Sequence, residues 1–380
     1  MWRTRSTRWA TLLAVGCVAV IVSACSSSSS SSGSGGGTSS SSKPGVQEAI
    51  SLVQGYMKSP ASIPLTAQVS GTIPTGKKVA VMVCGQPACD INYKFMTEAA
   101  QALGWTTQQY VAGPTPDKNK AAWDLVVQQQ PDAVISIGFP QALWAEDSKK
   151  LAAKGIPVVQ CCSADVPGNG VIFVENGTDA GIQGGKQQAD WVIADSQGKA
   201  KAVYLDIPAF PILGAQAKGF HDELTRLCPD CKYDKLDLNV ADVGTPAEKQ
   251  AIVGYLQSHP DVNYIAAGDD DSFQGVPAAL QAAGLAKQVK AIGLAPSTAN
   301  LNYIVNGQVE EATIAFPNPE ISWASVDALA RYFTKTPLEP AKVVMPRLIL
   351  TKENLKDPNV IPLSTPTYQQ DFRKLWGKST

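Results

Sequence analysis

From Lys77 onward the chain repeats one unit, a short apolar run followed by a turn and an amphipathic stretch. The first runs are "KKVAVMVCG" (77–85), "TTQQYV" (106–111), "DAVISIGF" (132–139) and "GIPVVQCC" (155–162). A second series reads "AKAVYLDI" (200–207), "KYDKLDL" (232–238), "VNYIAAGD" (262–269), "VKAIGLA" (289–295) and "EEATIAF" (310–316). Helical spacing fills the gaps: Ile91, Phe95, Ala99, Ala102 and Leu103 share one face, with Asp90 as the expected N-cap. Strands that alternate with helices of this length call for parallel sheets covered on both faces. The series breaks near "VIFVENGTDAG" (171–181) and then restarts. The expected fold is α/β, with two Rossmann-like lobes.

What precedes Lys77 speaks of compartment. Arg3, Arg5 and Arg8 precede an apolar stretch, Ala10 to Val22, that is too short to span a bilayer and reads as an export signal. The "VSAC" that follows resembles a bacterial lipobox, which implies cleavage after residue 24 and a lipid on Cys25. Residues 25–45 are rich in Ser and Gly and have nothing to bury, as a flexible tether would. Residues 46–76 form an extension with prolines and weak periodicity, and no function is read from it. Loss of residues 1–24 removes three arginines and leaves 29 basic against 33 acidic residues, with no basic run. Such a chain lacks the electrostatic footprint of a nucleic-acid binder. A hydrophobic content of 44% is ample for two cores.

The stretches "GIPVV" (155–159), "AKGFHDEL" (217–224), "AAGDDDSFQGVPAALQAAGL" (266–285) and "NGQVEEATIAF" (306–316) occur in the order of landmarks in a known family. By them the chain from 77 to about 350 resembles the type I periplasmic binding proteins, in the ribose-binding-like branch that serves ABC importers. The resemblance implies lobes joined by a three-strand hinge. The first lobe would comprise 77–174 and 317–340, and the second 175–316 and 341–380. It also implies a monomer, without a cofactor, that captures a small molecule and delivers it to the transmembrane subunits of an ABC permease. A lipid on Cys25 would hold it on the outer face of the bacterial cell membrane.

In open parallel sheets, ligands lie beyond the carboxyl ends of the strands. The loops to read are therefore those just after each strand. They nominate Gln86, Pro87, Phe139 and Cys162 in the first lobe and Phe210, Gln216, Asp269, Asp270 and Phe316 in the second. Trp144 is a further aromatic that either faces the cleft or fills the core. Sugar-binding relatives carry Asp-Arg after the fourth strand, Arg before the "GF" of the second lobe's first helix, and Asp and Gln after two later strands. Here those positions read Cys162-Ser163, Gln216, Ala295 and Phe316. Asp269 and Asp270 stand where relatives have Asn-Asp, and are equally placed to cap the helix that follows. A hydroxyl-reading site without its charged partners loses most of its discrimination. The expected ligand is thus an apolar or aromatic metabolite, or a glycoside with an apolar part. A simple sugar stacked on the aromatics is the rival.

Apart from Cys25, the mature chain holds Cys84, Cys89, Cys161, Cys162, Cys228 and Cys231, an even number in an oxidising compartment. Cys84 with Cys89 and Cys228 with Cys231 pair most economically; Cys161 and Cys162 stay open, since neighbours rarely bridge each other. The "CPDC" spacing also fits a redox centre, but it lies on the edge away from the cleft. Three separated cysteine pairs and two distant histidines, His221 and His259, do not converge as a metal site needs. "GIQGGKQ" (181–187) lacks the spacing of a phosphate-binding loop, and no H-E-x-x-H or G-x-S-x-G occurs. No enzyme is expected. A lipoprotein that reports to a membrane receptor remains the alternative to an importer subunit.

Overall fold

The continuous apolar runs become central strands, whose side chains are covered from both faces. The computed structural model describes residues 43–85, 87–113 and 115–378; the export signal, Cys25 and most of the tether lie outside them. Helix α1 (Pro44–Tyr56) comes first. Strands β1 (Lys78–Val83), β2 (Thr106–Val111), β3 (Ala133–Ile137), β4 (Val158–Cys161) and β5 (Val171–Glu175) form a parallel sheet in the order β2-β1-β3-β4-β5. Central β1 and β3 are buried almost throughout, whereas edge strand β2 is exposed except at half-buried Thr107 and Tyr110. Helices α2 (Pro87–Ala102), α3 (Pro116–Gln129) and α4 (Ala145–Ala152) connect them. Because α2 begins at Pro87, Asp90 sits in its first turn and accepts from Gln109 Nε2, and is not the N-cap.

The second sheet holds β6 (Lys201–Asp206), β7 (Lys232–Asp237), β8 (Tyr264–Ala267), β9 (Lys290–Leu294), β10 (Glu310–Ala315) and β11 (Leu348–Thr351). Its order is β11-β10-β9-β8-β6-β7, parallel except for β11, which runs antiparallel to β10. Helices α5 (Thr178–Ser196), α6 (Pro211–Leu227), α7 (Pro246–Ser258), α8 (Val276–Ala282) and α9 (Thr298–Val305) cover it. Thr115 and Thr245 cap α3 and α7 through their side chains, and Ser297 closes a capping box with Asn300 at α9. β5 and β11 were not expected as strands; each is short and lies next to a crossing between lobes.

The glycines of "GIQGGKQ" serve packing. A Cβ on Gly185 would lie 1.9 Å from the Gln216 carbonyl oxygen, and one on Gly219 would lie 2.1 Å from that of Ile182. Helices α5 and α6 therefore touch backbone to backbone.

The chain leaves the first lobe after β5 and returns with α10 (Asn318–Thr334), which packs on α2, β4 and β5. It crosses again to β11. Two further passes come from the ends. Val46, Ala49 and Val53 of α1 join the second lobe's core, but Ile63 and Leu65 join the first. After β11 the chain returns, and Tyr368, Phe372 and Leu375 of α11 (Tyr368–Leu375) pack in the first lobe with Trp376. Trp376 stacks on Trp323 of α10 with ring centroids 5.3 Å apart. The sequence reading gave all of 341–380 to the second lobe; this stack, together with a bond from Trp376 Nε1 to Asp327 Oδ1 at 2.8 Å, draws the last helix to the first.

Candidate functional site

The carboxyl ends of the two sheets face each other across a cavity of about 100 Å³. For scale, an apolar cavity of roughly 150 Å³ takes up a benzene ring. Larger depressions lie at the opposite ends of the strands, around Thr106 and Asp132 or Val289 and Val309, away from the loops that follow the strands.

Ile137, Gly138 and three cysteines, Cys84, Cys89 and Cys162, form the first-lobe wall. Phe210, Ile212, Leu213, Leu294 and Ala295 face them from the second, and Phe316 stands at the crossing into α10. The polar atoms come from Asn92 of α2, Asn318 of α10, Gln216 of α6 and Asp269 after β8. Asn318 begins α10, and its N–H donates to Phe316 O at 2.8 Å. Ser322 Oγ donates to Asn92 Oδ1 at 3.0 Å, which holds that amide on the wall.

The structure thus brings together five nominated residues: Cys162, Phe210, Gln216, Asp269 and Phe316. Two are placed otherwise. Phe139 is buried beside the cavity, and its ring stacks on Phe210 with centroids 5.6 Å apart and planes at 25°. It closes one lobe on the other and does not line the cavity. Asp270 lies behind the wall, accepts from Thr313 Oγ1, and presses so closely on β9 that Gly293 has no room for a Cβ. Gln86 is outside the described residues, as is the side chain of Pro87. Trp144 belongs to the core: it stacks on Trp123 at 4.5 Å and donates its indole N–H to Phe139 O at 3.2 Å. Asn92, Ile212, Leu213 and Asn318 were missed, although all but Asn92 lie in or next to post-strand loops already singled out.

Electrostatics keep this end of the second lobe weakly charged. Burial, and then repulsion by Asp271, push the Asp269 carboxyl up to about 7. Asp269 Oδ1 also accepts from the Asp271 N–H at 3.0 Å, so it caps the 3-10 turn 270–273 while it lines the cavity. Asp270 and Glu310 are fully buried near each other, and burial holds both well above the usual carboxylate range. Asn300 Nδ2 ties them, donating to Asp270 O at 3.0 Å and to Glu310 Oε2 at 2.9 Å. Arg347 lies 5.7 Å from the Phe316 ring centroid, and its Nη2 donates to Asn176 Oδ1 at 2.6 Å. Burial lowers its pKa to about 10.

The six cysteines of the described residues are all bonded, Cys84 to Cys89, Cys161 to Cys162 and Cys228 to Cys231. The first two pairs lie at the cavity. The third closes the turn before β7, in the second lobe's core with Val46 of α1. Among the described residues no group of three or more His, Cys, Asp or Glu is placed to hold a metal ion.

Comparison with known proteins follows the same lines. Residues 86–337 match the family described as periplasmic binding protein domain. No curated protein sequence is significantly similar. Among solved structures, an ABC sugar transporter subunit from Rhodobacter sphaeroides 2.4.1 is 21% identical with a TM-score of 0.63, over 73% of this chain and 99% of that one. A 5-methylthioribose transporter solute-binding protein from Thermotoga lettingae, in complex with 5-methylthioribose, is 18% identical with a TM-score of 0.65, over 81% and 96%. A glucose-galactose binding protein from Geobacillus stearothermophilus is 18% identical with a TM-score of 0.65, over 75% and 100%. Two α/β lobes about an inter-lobe cavity, and a family match over most of the chain, lead to one conclusion: this chain belongs to the periplasmic binding protein family, with the type I fold of sugar ABC transporter solute-binding proteins.

Proposed function

We propose that this chain is the solute-binding lipoprotein of an ABC importer, anchored through Cys25, and that its cargo is a small molecule with both a polar and an apolar part. The composition of the inter-lobe cavity carries the reading. Two disulfides, two phenylalanines and a run of aliphatic side chains surround four polar ones, Asn92, Asn318, Gln216 and Asp269. Among the described residues no arginine lines it, and the guanidinium of Arg347, beside Phe316, is turned to Asn176. A ring dense in hydroxyls needs more donors and acceptors than that wall presents, or else its own go unpaired on burial. A ligand with one apolar end leaves fewer. Binding energy is gained when the ligand bridges both lobes, and its differential affinity favours the closed form that docks on the permease.

A simple sugar is the second reading, favoured by the four polar side chains and by the sugars that name the structural neighbours. Native mass spectrometry of the untagged mature domain, followed by denaturation and identification of the released molecule, decides between them. A retained amphiphilic metabolite is expected. A retained ribose, galactose or inositol would overturn the proposed cargo. For the anchor, Cys25→Ala should release the protein from membranes into the soluble fraction.

A further inference from the structure

The cysteines of the cavity wall form one surface. In the first sheet β1, β3 and β4 are neighbours, so the segments that leave their carboxyl ends lie side by side. The segment after β1 carries the Cys84–Cys89 bridge, and β4 ends in the Cys161–Cys162 bridge. Between them, after β3, stands Gly138. Its N–H donates to Cys161 O at 3.1 Å, and a Cβ there would lie 3.4 Å from Cys89 Sγ and 3.5 Å from Cys84 Cβ. With a φ of +86°, Gly138 takes a conformation that L residues rarely adopt. It is the thin floor that separates the two bridges, in contact with the first and bonded to the backbone of the second.

Cys162 is held at a φ of +62°, unusual for a residue with a Cβ, and its N–H is fixed on Glu175 O at 2.9 Å at the hinge. Such outliers persist where the surrounding structure over-determines them, commonly at ligand sites. Disulfide sulfur offers no N–H or O–H to a hydroxyl, but it is polarizable and packs well on apolar carbon and on other sulfur. Of the four polar side chains of the lining, Gln216 and Asp269 lie across the cavity from the bridges, whereas Asn92 and Asn318 stand on the same side, where Ser322 Oγ donates to the Asn92 side-chain oxygen.

We infer that the two disulfides act together as the specificity-determining wall of the site. They receive an alkyl, aryl or thioether group of the ligand, while its hydroxyl-bearing part faces Gln216 and Asp269. This inference rests on the amphiphilic cargo proposed above and assigns its orientation and the residues that select it.

The test is calorimetric titration of the oxidised protein with ribose and with 5-methylthioribose, a pair that differs by one thioether group in place of a hydroxyl. In the wild type the thioether should bind at least roughly tenfold more tightly, as one added apolar group in a fitted pocket provides. In Cys161→Ser/Cys162→Gly, where glycine accepts the left-handed backbone, the margin should shrink to within about threefold, whatever happens to each affinity. Cys84→Ser/Cys89→Ser should also narrow it and serves as the second variant if the first does not fold. Gln216→Ala should weaken both probes and keep the margin. A margin unchanged in both cysteine variants overturns the sulfur wall and leaves the amphiphilic cargo standing. Ribose bound as tightly as the thioether by the wild type, or neither probe bound, overturns both.

Discussion

The buried pair on α10 allows the most exacting test of how the fold is held. Asp327 and Arg331 are both fully buried, and Arg331 Nε donates to Asp327 Oδ2 at 2.6 Å. The other carboxylate oxygen accepts from Trp376, and Arg331 Nη2 donates to Ala67 O, so one pair joins α10 to both terminal segments. Burial raises the Asp327 carboxyl, and the guanidinium counters that. Arg331→Met strands a carboxylate in the core with a single indole donor, which costs about 3–5 kcal/mol. The double variant Arg331→Met/Asp327→Leu removes both charges. Apolar replacement of a buried pair is neutral to stabilising, but here the Trp376 N–H loses its acceptor at about 1–3 kcal/mol. The double variant should therefore recover most of the loss and lie within about 2 kcal/mol of the wild type. Urea unfolding followed by circular dichroism measures both. The deficit of Arg331→Met should also shrink as pH falls from 8 toward 4, because protonation removes the stranded charge. A double variant as unstable as the single one would refute the reasoning, since the loss would then come from packing or from the Ala67 contact.

Other predictions follow from single features. Cys84→Ser/Cys89→Ser should lower stability by about 2 kcal/mol, the loop-entropy value for so short a ring, and an unchanged urea midpoint under non-reducing conditions would contradict it. Gly185→Ala should cost about 1–3 kcal/mol and weaken ligand binding, because its Cβ meets a backbone carbonyl that cannot yield without moving Gln216; a normal melting temperature would show that α5 and α6 can part freely. Burial raises Asp269 and Glu320 to about 7 and Asp190 to about 8, from ordinary values of 3.8 for Asp and 4.5 for Glu. Between those limits the folded chain binds more protons than the unfolded one, so stability is greatest below the window and falls as pH rises through it. Differential scanning fluorimetry should give a higher midpoint at pH 5 than at pH 8.5, and the reverse order would count against these carboxyls.

The lobes were legible because their central strands are continuous apolar runs that few other folds can bury. The cavity was legible in part, since the rule that ligands lie after parallel strands pointed to the segments that carry Phe210, Asp269 and Phe316. What the rule does not give is the direction of a side chain. Phe139 and Phe210 both follow strands, but Phe139 turns beside the cavity and stacks on its counterpart. Trp144 sits in the turn just before α4, its partner Trp123 is 21 positions earlier, and no local pattern couples them. The terminal passes were hidden for a similar reason. Val46, Ala49, Val53 and Ile63 are too few to declare which lobe they serve, and a lone Trp376 near the end announces nothing until Trp323 is beside it. The cysteine neighbours are different again: sequence alone weighs adjacency against pairing, and the fold decides it.

The route by which the chain enters the fold has a mechanical consequence. α1 is packed on the second lobe, from Val46 near Gly198 to Tyr56 near Asp190, before the chain passes to Ile63 on the first. Whatever pulls on residue 43 therefore pulls on the second lobe before the first. The seven steps from Tyr56 to Ile63 can span no more than about 25 Å at full extension, which limits how far the two lobes can part at that crossing.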